Sequence, residues 1–439
     1  MNVRPDRAIR GTILRFRHDP FQGPPDEALL VEQDGLIAIA DGKIQQVGPY
    51  SILHETLPAD TAIDDHRGCL IGPGFIDAHV HFPQLRVIAS YGEQLLTWLN
   101  RYVFPEEARF SDPDYAATIA REFLDALLRA GTTTAAVYCT VHPQSVEAFF
   151  QESTRRNTRM IAGKVLMDRN APDNLRDTAQ TGYDQSLALL RRWHGKGRQL
   201  YAVTPRFAPT STPEQLDLAG TLLDAAPDVF MQTHLLETRA EEEWVRALFP
   251  DRRGYLDVYA HAGLVRPRAI FGHAVHMTEH DRHQCHDAGC GIAHCPGSNQ
   301  FLGSGRFDLA AAMRADRPLR VAFGSDIGAG DNISMLRVAN DGYKVAQGRG
   351  VSLHPAQAYW LATTGASHAL YLDHLVGRIA PGLEADLCVL DPAASPMTAQ
   401  RCARAETTDE LLFALMMLGD ERNVRATYVA GQPVERATA

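Results

Sequence analysis

Eight short apolar runs follow one another between residues 74 and 326: "GFIDAHV", "TTTAAVYC", "RMIAGKVLM", "LYAVTPRF", "VFMQTHL", "AIFGHAVH", "GIAHCP" and "VAFGSD". Most are separated by stretches of helical character, such as "DYAATIAREFLDALLRAG" and "AEEEWVRALF". A parallel strand pair needs a crossover long enough to hold a helix, and a strand covered on both faces reads as an unbroken apolar run. Eight strands with helical crossovers therefore predict an α/β chain built on a (β/α)8 barrel of the TIM type, over residues 73–377. Outside that span the texture changes to short strands and turns. "LIAIADGKIQQVG" carries Asp41-Gly42, a hairpin turn signal, and "GRIAPGLEADLCVLDP" and "NVRATYVAGQPVERA" resume the same pattern at the other end. Residues 1–72 and 378–439 are predicted to join in one small β-sandwich.

A chain of 439 residues, 45% hydrophobic and 22% charged, can bury a core of that size. Its formal net charge of −10 and pI near 6.0 argue against a nucleic-acid polymer as partner, since phosphate binding needs clustered Lys and Arg. No stretch approaches the roughly 20 apolar residues of a membrane span, so no membrane partner is expected. The opening "MNVRPDRAIRGTILRF" lacks the apolar core and cleavage site of a secretory signal, and the cytoplasm is the expected location. Seven cysteines at irregular spacing fit reduced thiols better than a disulfide framework. In "HDRHQCHDAGCGIAHC" the His and Cys residues superficially resemble a zinc module, but there is no CxxC pair and the segment parses as a helix followed by a strand.

In an eight-stranded barrel the reactive groups sit at the C-terminal ends of the strands. Those ends carry His79 and His81 on the first strand, His234 on the fifth, His273 on the sixth and Asp326 on the eighth. On a strand, residues i and i+2 share a face, so His79 and His81 project together. Imidazoles converging with a carboxylate suit zinc or a similar transition metal with one position open for water, and the metal lowers the pKa of that water toward neutrality. Glu237, in "THLLET", is close enough to reach the same face; it is either the proton carrier such a site needs or an acid at a helix N-terminus.

The runs "PGFIDAHVHFPQ", "TPRFAPT", "THLLET", "FGHAVHM", "AHCPGSN" with "LGSG", and "FGSDIGAG" resemble the amidohydrolase superfamily, and the likeness extends to "GRIAPGLEADL" near the C-terminus. "HFPQ", "GEQLLTWLNRYVFPEE" and "TPRF" are similar to the guanine deaminases within it. The resemblance implies one zinc per subunit held by His79, His81, His234 and Asp326, with His273 orienting or polarising the water. Some relatives bridge two metals through a carboxylated lysine on strand 4, but "YAVTPRF" has none and Lys164 lies on strand 3. The implied reaction is hydrolytic deamination of guanine to xanthine and ammonia, by attack of zinc-activated hydroxide on C2 with Glu237 shuttling protons. Catalytic roles then fall to Glu237, His273 and Asp326, and substrate contacts to Gln84, Arg206 and Phe207, with His81, His234 and Glu237 bordering the base.

The acceptors O6 and N7 on one edge of guanine match a guanidinium fork, whereas adenine would face Arg206 donor to donor. Arg206 and Gln84 could instead be surface or ion-pair residues, and Phe207 ordinary core packing. In "LLTWLNRYVFPEE" the residues Leu95, Leu96, Trp98, Leu99 and Tyr102 read as an amphipathic helix packed on the barrel, with a lid role open for Trp98. Two other functions fit the same motifs: a superfamily deaminase or hydrolase of another purine, nucleoside or triazine, and a metal-binding barrel without catalysis. A homodimer is implied by the resemblance alone.

Overall fold

In the computed structural model residues 4–91 and 94–435 are described. Gly92 and Glu93, which open the segment "GEQLLTWLNRYVFPEE", lie outside them, as do residues 1–3 and 436–439. The chain begins with β1 (Arg7–Phe16), β2 (Leu29–Ala40), β3 (Lys43–Pro49) and β4 (Ala62–Pro73). β2 and β3 form the expected hairpin, and Asp41 and Gly42 both adopt left-handed backbone (φ 50° and 75°), as a tight two-residue turn requires.

The barrel follows with β5 (Phe75–His81), β6 (Thr132–Tyr138), β7 (Arg159–Gly163), the two-residue β8 (Val165–Leu166), β9 (Gln199–Pro205), β10 (Phe230–Leu235), β11 (Ala269–His273), β12 (Gly291–His294) and β13 (Arg320–Phe323). Parallel ladders connect β5, β6, β7, β9, β10, β11, β12 and β13 in that order, with β8 alongside β9. The last gap, between β13 and β5, is closed beyond the strand end, where Asp326 N–H donates to the His79 carbonyl at 2.8 Å. The chain then returns as β14 (Leu387–Leu390), β15 (Val424–Val429) and β16 (Gln432–Pro433). β14 pairs antiparallel with β4, so both ends of the chain share one seven-stranded sheet. Ile9, Ile37, Ile71, Leu387 and Val389 pack in its apolar cluster. Arg159, at the start of β7, and Arg198, just before β9, both pair with Glu384 and tie the barrel to the returning segment.

The unbroken apolar runs are explained by two cores. One residue from each barrel strand (Ile76, Ala136, Ile161, Ala202, Phe230, Ile270, Ala293 and Ala322) points inward, and Leu370, Leu372 and Val376 pack in the same cluster. Their neighbours, among them Phe75, Val137, Met160, Val203, Met231, Phe271 and Val321, pack outward against the helices. The helix Pro113–Arg129 shows how that outer shell forms. Asp112 caps it by accepting from the amides of Asp114 and Tyr115, Pro113 starts it, and Ile119, Phe123, Leu124 and Leu127 make its buried stripe. Among the described residues no helix is long and apolar enough to cross a membrane.

Candidate active site

Strict alternation along β5 would send His79 outward, because Ile76 and Ala78 already face the barrel interior. The strand avoids this with a register irregularity between Asp77 and Val80, which leaves Val80 in the outer core while His79 and His81 turn toward the strand ends. The interior makes room for His79 with glycine at two inward positions. A Cβ on Gly272 would lie 2.5 Å from His79 Cε1, and one on Gly324 would lie 2.8 Å from His79 Cβ. Asp77 fastens the seam, accepting from His79 N–H at 3.1 Å and from both the amide and the hydroxyl of Ser325. Burial raises its carboxyl to about 7, even against those donors.

His79, His81, His234, His273 and Asp326 converge at this end of the barrel, all buried except the part-buried His234. His81 Nε2 lies 3.2 Å from His234 Nε2 and 3.5 Å from Asp326 Oδ1, and His79 Nε2 lies 3.4 Å from the same oxygen. Donors around a tetrahedral ion with bonds of about 2.1 Å stand about 3.4 Å apart, so this set has the spacing of a metal site. The protonation chemistry agrees. Burial, reinforced by neighbouring imidazoles, holds His81 and His234 well below the ordinary imidazole range, so both rings are neutral, the form a metal would need. His234 Nδ1 donates to the Arg206 carbonyl at 2.6 Å, which leaves its Nε2 lone pair facing inward. Both ring nitrogens of His79 and Nδ1 of His81 are buried without a hydrogen-bond partner. His81 and His234 meet Nε2 to Nε2 at 3.2 Å with His81 Nδ1 left unpartnered, and these donors fit a divalent metal, which would take both Nε2 lone pairs.

Glu237 stands beside this group. Thr238 and Glu241 form the capping box of the next helix, so the N-terminal acid is Glu241, which also accepts from Glu237 N–H at 2.9 Å. That frees the Glu237 side chain for the cavity, where Oε1 accepts from the Ser304 hydroxyl at 2.9 Å and Oε2 lies 3.6 Å from His273 Nε2. Burial pushes its carboxyl up to about 7, although His273 pulls the other way. For His273, burial pulls down, but Glu237, Asp326 and the Asn299 hydrogen bond outweigh it, and the ring is raised overall. Asp326 is pushed up by burial, yet His79 and His273 bring it below the usual carboxylate range. His273 and Asp326 adopt left-handed backbone, φ 68° and 50°, a conformation costing on the order of 1–3 kcal/mol that is held where a side chain must be aimed.

The cavity above these groups is lined by His81, Gln84, Arg206, Phe207, His234, Glu237, His273 and Asp326, with His79 enclosed behind them. Phe207 meets Trp244 edge to face at 6.0 Å. Leu95, Trp98 and Leu99 complete the lining, so the segment after β5 borders the cavity as well as packing on the barrel. It runs as Leu95–Trp98, a π-helical turn Leu99–Val103, and Phe104–Glu107. Lys164 is occupied elsewhere, in a buried ion pair with Asp177. The helix and strand read from "HDRHQCHDAGCGIAHC" are Glu279–Ala288 and β12, and all seven cysteines are buried.

Sequence reasoning overlooked Glu107, Asn299 and Ser304. Asn299 Oδ1 lies 2.9 Å from His273 Nδ1 and fixes that ring, and Ser304 fixes Glu237. All three belong to motifs that were legible, "AHCPGSN", "LGSG" and "GEQLLTWLNRYVFPEE", but nothing in "FPEE" separates Glu107 from Glu106.

Residues 70–434 match the amidohydrolase family. The chain is 45% identical over 430 residues to the guanine deaminase of Escherichia coli K12, covering 98% of this chain and 97% of that protein. A solved structure of E. coli guanine deaminase superposes with a TM-score of 0.95 at 44% identity, over 98% of this chain and 99% of that one. A guanine deaminase from C. acetobutylicum, solved with guanine bound in its active site, matches with a TM-score of 0.85 at 28% identity, over 98% of this chain and all (100%) of that one.

Proposed function

The chain belongs to the amidohydrolase family and, within it, to the guanine deaminases, and on that premise we infer how its own residues divide the deamination of guanine. The observation that carries the reading is the meeting, in one buried cavity, of a metal-competent His/Asp group, the Glu237 carboxyl and the Arg206 guanidinium.

His79, His81, His234 and Asp326 would hold the metal, and zinc is the ion that a donor set of three imidazoles and one carboxylate suits. A divalent ion bound there supplies Lewis-acid activation of water near neutral pH. Gln84 and Arg206 orient the base, Arg206 offering donors to O6 and N7, and Phe207 packs beside it. Glu237, raised toward neutrality by burial, accepts a proton from the attacking water and delivers it to N3 of guanine. After attack at C2, the same carboxyl takes the proton of the new C2 hydroxyl and passes it to the departing amine, so that the C2–N bond breaks as the C2 carbonyl forms and ammonia leaves with xanthine as the other product. His273, held at Nδ1 by Asn299, faces Glu237 and steadies the attacking water. A homodimer is the assembly that the family resemblance implies, and the cytoplasm is the location expected from the sequence.

The test is ammonia release from guanine, adenine, 8-oxoguanine, guanosine and cytosine, with metal content measured on the same sample. Guanine is expected to give the highest kcat/KM with about one zinc per subunit. A higher value for any other base overturns the substrate assignment, and full turnover by metal-free protein overturns the metal assignment.

A further inference from the structure

Glu107 is completely buried, 23 residues beyond Gln84 and 99 before Arg206, and its two carboxylate oxygens serve those two residues separately. Arg206 Nη1 donates to Oε2 at 2.6 Å, and Gln84 Nε2 donates to Oε1 at 3.1 Å. The same helical turn supplies Phe104, whose ring centre lies 5.5 Å from the Arg206 guanidinium carbon. The guanidinium is therefore held at one edge by a carboxylate and covered on one face by an aromatic ring, both from Phe104–Glu107.

We propose that Glu107 is the positioning residue that sets base specificity, fixing the donor and acceptor pattern that Gln84 and Arg206 present to the substrate. The inference rests on the reading above that those two residues face the base. Glu107 turns the Gln84 amide so that Nε2 faces the carboxylate. A flipped amide would set oxygen against carboxylate oxygen. Gln84 Oε1 lies instead against Gly328, where an added Cβ would approach it to 2.1 Å, so Gly328 is the clearance that lets this orientation exist. The cavity then offers donors from Arg206 and an acceptor from Gln84. A lactam purine, with ring N–H donors beside its carbonyl and ring-nitrogen acceptors, satisfies both, whereas a 6-aminopurine meets Arg206 donor to donor.

A second consequence is electrostatic. An unpaired guanidinium in a buried cavity would favour anionic purines. Paired with Glu107, it has its charge balanced and selects a neutral base by hydrogen-bond pattern.

The test is Glu107→Gln in the metal-loaded enzyme. The neutral amide keeps the shape but removes the charge and one acceptor. The expected result is a KM for guanine raised roughly tenfold or more with kcat changed less than about threefold, unchanged zinc content, and inhibition by urate, a purine anion, strengthened roughly tenfold. Loss of a purely structural residue would lower kcat or folded yield without tightening an anion. Glu107→Asp keeps the charge while withdrawing the carboxylate by one methylene, and is expected to raise KM without the gain in urate binding. It carries the test should Glu107→Gln not fold. An unchanged KM in the variant measured, or a fall in kcat alone, overturns the proposal. Arg206→Ala separates the two levels: if it leaves KM for guanine unchanged, the reading of Arg206 as a base contact fails, and if it raises KM while the Glu107 variants do not, only the role of Glu107 fails.

Discussion

Replacing Glu237 by glutamine removes a proton carrier and almost nothing else. The carboxyl is held by a hydroxyl on one oxygen (Ser304, 2.9 Å) and by a backbone clamp behind it, where Glu241 accepts from the Glu237 amide at 2.9 Å. A glutamine can accept the same Ser304 hydrogen bond and keep the same backbone contact, so the side chain should stay in place. Folding should not suffer, because the amide replaces a buried carboxyl that carries a desolvation penalty. General acid–base groups contribute about 10²–10⁴ in rate, or about 2.7–5.4 kcal/mol of barrier at 1.36 kcal/mol per decade. We expect kcat and kcat/KM to fall together by that factor, since the lost interaction belongs to the transition state and base recognition lies with other residues. The assay is steady-state ammonia release from guanine, run beside zinc analysis and a melting curve. A kcat within about tenfold of the parent, with metal retained, refutes the proton-carrier role, since the low end of that range is a hundredfold loss. Loss of zinc refutes it differently, by making Glu237 a ligand.

Gly324→Ala tests the packing that admits His79: the new Cβ would lie 2.8 Å from His79 Cβ and 3.0 Å from Cys295 Sγ, and we expect weaker zinc retention, read by chelator competition, while the protein still folds. Unchanged metal affinity would mean that the seam can widen without moving the ligand. Phe149→Ala tests the outer core: the ring is fully buried, 5.2 Å from Phe82 and 6.3 Å from Phe123, and its loss should cost about 3–5 kcal/mol, read as a lowered denaturation midpoint with metal stoichiometry intact in the folded protein.

The barrel was legible because buried parallel strands leave a composition signature that survives without any knowledge of contacts. Each run mixes residues for two cores, and Ile76 facing inward beside Phe75 facing outward is enough to make the segment apolar throughout. The metal-competent residues were legible for a related reason: an imidazole at the end of an otherwise apolar strand is conspicuous. The face they occupy was harder to read. Counting by twos placed His79 and His81 together correctly, but only the irregularity between Asp77 and Val80 turns that pair toward the cavity, and no residue type announces it. The terminal strands could be counted, yet their pairing across more than 300 residues, such as Leu387 with Pro73, is set by docking of the two chain ends and has no local signal.

Glu107 shows where local reading stops in principle. Two glutamates, Glu106 and Glu107, follow Phe104-Pro105 in one turn, and by residue type they are interchangeable. Glu106 faces outward to Tyr115 and Arg109, while Glu107 is sealed between Gln84 and Arg206. The π-helical turn just before them, Leu99–Val103, adds a residue to the helical repeat and so rotates everything that follows it. Were the same residues wound as a plain α-helix, the positions facing cavity and solvent would shift by about 100°, and a different side chain would meet Arg206. The determinant of which glutamate meets Gln84 and Arg206 is thus a backbone irregularity one turn upstream. It follows that deleting one residue within 100–103, which lets the segment wind as a plain α-helix, should leave Glu107 facing Arg206 and guanine KM within about threefold, whereas inserting one residue there should turn it away by about 100° and raise KM as much as altering Glu107 itself.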